Sequence, residues 1–188
     1  GENWDSVVER SVELGLSGIE SLSAIPGTAG ATPVQNVGAY GREIKDVLEE
    51  LRALDLKSDE IVTLINNDCR FRYRDSIFRN EEKGRYIILS ILLRLSKTPA
   101  PMPDYPDVRR YFTEKGITQP TLKEIREAII KIRSIKLPNP SVVPNVGSFF
   151  KNPIISRNKF EKIKLSYPDV KFFELENGKV KIPAGWLI

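Results

Sequence analysis

Between residues 3 and 14, Trp4, Val7, Val8, Ser11 and Leu14 fall on one face at helical spacing. The pattern predicts a short amphipathic helix capped by Asn3 and stopped by Gly15. A second and clearer helix is predicted over residues 122–135. There Leu122, Ile125, Ile129 and Ile132 form one apolar stripe, Thr121 and Glu124 form a capping box, and Lys131, Arg133 and Lys136 make a basic tail. Residues 86–95 are a continuous apolar run, which predicts a strand buried on both faces. Residues 146–155 read as another strand, 158–165 as a short helix, and 171–182 as a hairpin turning at Asn177-Gly178. One stretch is ambiguous. Ile44, Val47, Leu48, Leu51 and Leu54 have helical spacing, yet residues 47–56 would serve equally well as a strand.

Two stretches interrupt these elements. Residues 16–41 hold Gly18, Gly27, Gly30, Gly38 and Gly41 with Pro26 and Pro33, too irregular for an element and too long for an ordinary connection. Interleaved Ile25, Val34, Val37 and Tyr40 argue against disorder there, so a functional loop is expected. Residues 97–106 carry Pro99, Pro101, Pro103 and Pro106, a natural boundary between domains or subdomains.

Composition narrows the chemistry. The chain has 188 residues, 40% of them apolar and 29% charged, which suits one large globular domain or two small ones. No apolar run approaches the roughly 18 residues a membrane-spanning helix needs, so no membrane partner is expected. There is no histidine, which removes Ser-His-Asp and Cys-His nucleophile pairs and most zinc sites from the visible chain. The single cysteine, Cys69, suits a reducing, cytoplasmic setting and a packing role. A net charge of +4 favours anionic ligands only weakly. The chain begins at Gly1 and ends on the apolar run Ala184-Gly185-Trp186-Leu187-Ile188, so it is expected to be a segment of a longer protein.

Four segments could carry chemistry, each beside a plainer alternative. The glycines from Gly27 to Gly41 would let backbone approach a phosphate or a cofactor ring, or merely connect two elements. In Cys69-Arg70-Phe71-Arg72-Tyr73-Arg74-Asp75-Ser76, an extended chain would put three arginines on one face and the aromatics on the other. That arrangement suits single-stranded nucleic acid, a single arginine aimed at a carboxylate, or a solvated strand. Ser148 lies between Gly147 and the bulky Phe149-Phe150 pair, where it could relay a proton or simply fill a strand. Arg133 and Lys136 at a helix end complement its dipole, and Tyr105 in the proline-rich stretch reads as surface decoration.

Taken in order, Gly1-Glu2-Asn3-Trp4, Gly18-Ile19-Glu20, Ile25-Pro26-Gly27, Gln35-Asn36-Val37-Gly38-Ala39-Tyr40-Gly41, Cys69-Arg70-Phe71, Tyr73-Arg74-Asp75-Ser76, Lys136-Leu137-Pro138, Gly147-Ser148-Phe149-Phe150-Lys151-Asn152-Pro153 and the terminal run resemble the UDP-N-acetylenolpyruvoylglucosamine reductase (MurB) family. The resemblance runs the length of the chain. It implies an α+β fold in which residues 1–96 are the C-terminal part of an FAD-binding (PCMH/VAO-like) domain and residues 97–188 a truncated substrate-binding domain. It also implies NADPH-dependent, FAD-mediated reduction of UDP-N-acetylglucosamine enolpyruvate to UDP-N-acetylmuramate in peptidoglycan synthesis, by a cytoplasmic monomer that binds no nucleic acid.

Position by position, the resemblance implies that Ile25, Pro26, Gly27, Gly30, Ala31, Thr32, Val34 and Tyr40 line the flavin. Ala31 departs from the family's small hydroxyl residue. Arg74 would hold the substrate carboxylate and stabilise the enolate, with Tyr73 beside it, and Ser148 would donate the proton. Tyr105 would be the mobile tyrosine covering the uridine end, with Arg133, Lys136 and Asn152 on the diphosphate and sugar. The family also favours a strand for the ambiguous 44–56 stretch. Its N-terminal pyrophosphate loop and C-terminal catalytic glutamate lie outside this chain, so the segment alone is expected to be inactive. The alternatives are another FAD-dependent oxidoreductase of the same fold, a nucleic-acid module using Arg70, Arg72 and Arg74, or a scaffold.

Overall fold

In the computed structural model, residues 1–99, 101–138, 142–144, 150–175 and 177–188 are described. The chain forms two compact units, Gly1–Leu137 and Pro138–Ile188.

The first unit opens with helix α1 (Trp4–Glu13). Asn3 caps it by accepting from the Ser6 amide at 3.2 Å. Trp4 and Val8 are fully buried, and the Trp4 indole donates to the Leu22 carbonyl at 3.0 Å. Gly15 follows at φ +69°, a conformation that suits glycine and ends the helix. The glycine-rich stretch is ordered without becoming a long element. It contains single 3-10 turns at Glu20–Leu22 and Ala29–Ala31. Backbone bonds from Trp4 to Gly27 and from Ala29 to Glu2 hold it, as does the Ser17–Ser96 bridge.

Strands β1 (Gly38–Ala39) and β2 (Arg42–Glu43) then form a hairpin around Tyr40 and Gly41. Both turn residues have positive φ, +49° and +83°, the combination that matches the twist of a two-residue hairpin. The ambiguous stretch becomes strand β3 (Leu48–Asp55), and a lone 3-10 turn at Ile44–Asp46 is all that remains of its helical spacing. Strand β3 lies in the middle of an antiparallel sheet, between β4 (Glu60–Ile65) and β5 (Tyr86–Leu93). Leu51 and Ala53 point into the core with Cys69, Ile77 and Phe78. Cys69 is fully buried, and burial pushes its thiol pKa up to about 12, so it packs as a small apolar group.

One expectation fails in this sheet. Strand β5 is not buried on both faces, because Ile87, Leu89 and Leu92 are about half exposed. It is an edge strand packed on one side only. Residues 69–76 are not extended, since Arg70 and Arg74 take the left-handed conformation and Arg72 bridges back to Asp75 around a tight turn. The side chains of Arg70, Arg72 and Arg74 therefore do not line one face.

The proline-rich stretch leads into a helix the sequence reading missed, α2 (Pro106–Glu114), with Tyr105 at its N-cap position and Pro106 opening its first turn. Val108 and Phe112 pack on Ile125, Ala128, Ile129 and Ile132 of α3 (Leu122–Lys136), whose Thr121/Glu124 capping box forms as expected. Arg126 ties α3 to α1 through a two-pronged ion pair with Asp5 at 2.6 and 2.9 Å. Residues 97–137 thus pack with the unit that precedes them. The boundary expected at 96/97 lies inside that unit.

The second unit contains β6 (Ile154–Ser156), α4 (Arg157–Ser166), β7 (Phe173–Glu174), β8 (Lys179–Lys181) and α5 (Ala184–Leu187), the last unanticipated. Its sheet order is β6-β8-β7, and Phe160, Val170, Val180 and Ile182 form its core. The hairpin turns at Asn177-Gly178 as the sequence predicts, with Gly178 at φ +69°. Part of the strand expected over 146–155 lies outside the described residues.

Candidate active site

The β1–β2 hairpin and the Arg72–Asp75 turn meet at one guanidinium. Arg74 Nη1 lies 3.1 Å from Glu43 Oε1 and donates to the Asn36 carbonyl at 3.4 Å, while Nη2 donates to the Gly38 carbonyl. The guanidinium carbon lies 5.1 Å from the centre of the Tyr73 ring, within cation–π range. Gly38 makes this possible. A Cβ there would come within 2.8 Å of Arg74 Nη1 and the Arg42 carbonyl, and within 2.7 Å of Glu43 Cγ. The Arg74 side chain keeps 29% exposure. It is a fixed, partly open cation, and Nε–H has no protein acceptor among the described residues.

Asn36 and Glu43 complete this arrangement, and the sequence reading gave neither of them a role. Asn36 is fully buried at φ +47°; its Nδ2 donates to Glu43 Oε2 at 2.9 Å and to the Arg72 carbonyl at 3.0 Å. Its Oδ1 accepts from the Lys45 amide at 3.1 Å. Lys45 Nζ also lies 3.2 Å from Glu43 Oε2. A usable signal was present in the sequence, since asparagine tolerates the left-handed region and here stands just before the hairpin.

The other end of the hairpin brings together a second group. The Tyr40 and Tyr105 rings meet edge to face at 5.1 Å. Burial raises the Tyr40 hydroxyl pKa, and the cations of Arg133 and Lys136 pull it the other way. Lys136 Nζ ion-pairs with Asp107, and Arg133 Nε donates to the Ala24 carbonyl at 3.3 Å. The structure therefore joins Tyr40, Tyr105, Arg133 and Lys136, which the sequence reading took from three separate segments. Asn152 belongs to the second unit, where its Oδ1 accepts from the Ala184 amide at 2.8 Å and caps α5. Ser148 lies outside the described residues.

The loop over residues 25–34 offers small, open surface. Pro26, Gly27, Ala31 and Val34 are exposed, and a Cβ at Gly27 would meet nothing within 4 Å. Gly30 sits against β5, where a Cβ would lie 3.4 Å from the Ile88 carbonyl. Thr32 faces inward at 3% exposure and donates to the Ala29 carbonyl at 2.7 Å, while Ile25 packs beside the Trp4 core. The loop fits a ligand approached through backbone and small side chains, with no hydroxyl at Ala31 and the Thr32 hydroxyl hydrogen already committed. Among the described residues, no group of three His, Cys, Asp or Glu could hold a metal ion, and no helix is long and apolar enough to cross a membrane.

Curated relatives match the chain from end to end. The UDP-N-acetylenolpyruvoylglucosamine reductase of Neisseria meningitidis serogroup A is 48% identical over 189 residues, covering 100% of this chain and 55% of that protein. Those of Pseudomonas aeruginosa and Flavobacterium johnsoniae are 45% and 43% identical, again over 100% of this chain and 55% and 56% of their own. The chain is a homologue of these reductases. It spans about half the length of the relatives it matches. No protein-family model matches. The crystal structure of the reductase (MurB) from Thermus caldophilus superposes with a TM-score of 0.52 at 18% identity, covering 96% of this chain and 58% of that one. That likeness establishes the α+β fold shared with the reductase. Arg72 is exposed and pairs with Glu81 at 2.8 Å, whereas Arg74 pairs with Glu43 of the hairpin.

Proposed function

We propose that the protein to which this chain belongs reduces UDP-N-acetylglucosamine enolpyruvate to UDP-N-acetylmuramate, with NADPH as electron source and FAD as resident cofactor, in peptidoglycan synthesis. The observation that carries this reading is the 43–48% identity along the whole chain with relatives named for that reductase. On this reading residues 1–96 belong to the FAD-binding domain and residues 97–188 to the substrate-binding domain.

Residues of the 25–34 loop and Tyr40 would hold FAD, which supplies the hydride, drawn from NADPH, that adds to the enolpyruvyl methylene carbon. With that hydride added, the C=C bond would become a single bond and negative charge would develop on the adjacent carbon and its carboxylate. Arg74 answers that charge. A guanidinium already held in place needs no reorganisation when the charge forms, so it favours the transition state over the bound substrate. Ser148 donates the proton to the adjacent carbon and recovers one from water. A serine suffices as acid because the carbanion is a much stronger base. Tyr105 covers the uridine end, and Arg133, Lys136 and Asn152 contact the diphosphate and sugar, with Lys136 exchanging Asp107 for a phosphate oxygen.

The test is the visible spectrum of the full-length protein, reduced anaerobically with NADPH and then mixed with UDP-N-acetylglucosamine enolpyruvate. Flavin bands should bleach and return only with that substrate. Arg74→Ala and Ser148→Ala should each slow the return a hundredfold or more, by analogy with loss of a transition-state donor, while leaving bleaching intact. A colourless protein, or a flavin that this substrate does not reoxidise, would refute the proposal.

A further inference from the structure

We infer that Glu43 is a positioning residue for Arg74, setting the guanidinium's direction through a charged contact that the substrate carboxylate does not displace. The inference rests on the proposed reductase reaction. Arginine has a long, entropically costly side chain, and Arg74 starts from a left-handed backbone at φ +52°. Its direction must therefore be imposed from outside. Two of its acceptors, the Asn36 and Gly38 carbonyls, are neutral backbone groups. Among the described residues Glu43 is the one side-chain acceptor, and its other oxygen is anchored by buried Asn36 and by Lys45. Both Glu43 oxygens are thus used, one to hold the guanidinium and one to hold Glu43 itself.

The geometry also separates positioning from binding. Glu43 engages Nη1 while Nε–H has no protein acceptor among the described residues, so a carboxylate can approach that edge without breaking the ion pair. Glu43 also offsets part of the guanidinium charge. Its removal should leave attraction for a carboxylate equal or stronger but release the side chain's aim. Misplacement by about 1 Å is enough to cost around a hundredfold in rate. A residue that merely supports the fold would not produce that split.

The test uses the full-length flavoprotein. Glu43→Ala should slow substrate-dependent flavin reoxidation about 10- to 100-fold, with KM for the enolpyruvyl substrate unchanged or lower and bleaching by NADPH unaltered. Glu43→Gln keeps one acceptor oxygen at the same reach and should recover part of the loss. It also serves as the readable variant if the alanine protein does not fold. Because Glu43 acts through Arg74, the Glu43→Ala/Arg74→Ala double variant should reoxidise no more slowly than Arg74→Ala alone. Additive losses, a raised KM with unchanged kcat, or equal slowing of bleaching and reoxidation would overturn the inference. Wild-type protein that reoxidises with substrate, alongside Glu43→Ala and Glu43→Gln that match it, would overturn this inference alone. Failure of the wild-type protein to reoxidise would overturn the reductase reading and this one together.

Discussion

Gly38 shows how much one missing Cβ can hold open. A methyl group there would lie 2.7–2.8 Å from Glu43 Cγ, the Arg42 carbonyl and Arg74 Nη1, closer than carbon atoms normally approach. The backbone carbonyl cannot easily give way, so the side chains of Arg74 and Glu43 must move. Gly38→Ala should destabilise the protein by about 1–3 kcal/mol, as overpacking does, and should slow flavin reoxidation as well. A urea-unfolding midpoint and reoxidation rate both equal to wild type would sink the idea. Asp55 makes a different residue-scale prediction. Its carboxylate accepts from Arg85 Nε at 3.0 Å, from Nη2 at 2.6 Å and from the Lys57 amide at 2.9 Å. The Arg85 side chain, as the main cause, holds its pKa down from 3.8 to about 2. A depressed folded-state pKa stabilises fully above the unfolded value of 3.8 and loses that effect as pH falls through about 2. Asp55→Asn should therefore melt lower than wild type at pH 6, and the gap should close between pH 4 and 2. A gap that stays constant over that range would refute this account.

Among the elements, α3 has the strongest local signal, and it packs on α2 and is tied to α1 by the Arg126–Asp5 pair. Its Thr121 side chain accepts from the Glu124 amide at 3.3 Å, and Glu124 in turn accepts from Thr121's amide and hydroxyl at 2.8 Å. Thr121→Ala should cost about 1 kcal/mol of stability, the usual loss for such a cap. Arg133 and Lys136 sit in the last turn, about four turns from the cap, so turnover should be unchanged. Differential scanning calorimetry with a parallel rate measurement would separate the two effects; a lowered rate at unchanged stability would contradict this. The sheet shows the limit of local signals. An apolar run such as β5 reads as buried on both faces, yet its exposure depends on how many layers flank the sheet. The reversed case is α2, whose Val108 and Phe112 are buried. The flanking prolines read as a domain boundary, although Pro106 opens the helix.

At the scale of the whole molecule, the division at Leu137/Pro138 separates units of unequal substance. The first has three buried clusters and a central strand paired on both edges, whereas the second rests on Phe160, Val170, Val180 and Ile182. Small cores bury a smaller share of their surface and are marginal. In hydrogen exchange on the full-length protein, β3 amides should be the slowest and those of β6 and β8 at least tenfold faster. Equal protection in the two sheets would mean that the units do not open separately.

Helices α1, α3 and α4 and the Asn177-Gly178 hairpin were legible because caps, stripes and turn residues act within a few positions along the chain. The family resemblance was legible for a related reason, since motifs in register survive without knowledge of where they meet. Other features needed three dimensions. Residues 48–55 became a strand because β4 and β5 offer hydrogen bonds along both edges, which no local periodicity records. Residues 69–76 alternate like a strand, but the turn at Tyr73-Arg74 satisfies the Arg72 and Asp75 backbone groups and aims Arg74 at the hairpin. Sequence alone named Arg74, Tyr40, Tyr105, Arg133 and Lys136. Only the tertiary structure could join the last four in one cluster and give Arg74 its partners in Asn36 and Glu43, because an arginine's direction is set by acceptors that lie more than thirty residues away in the chain.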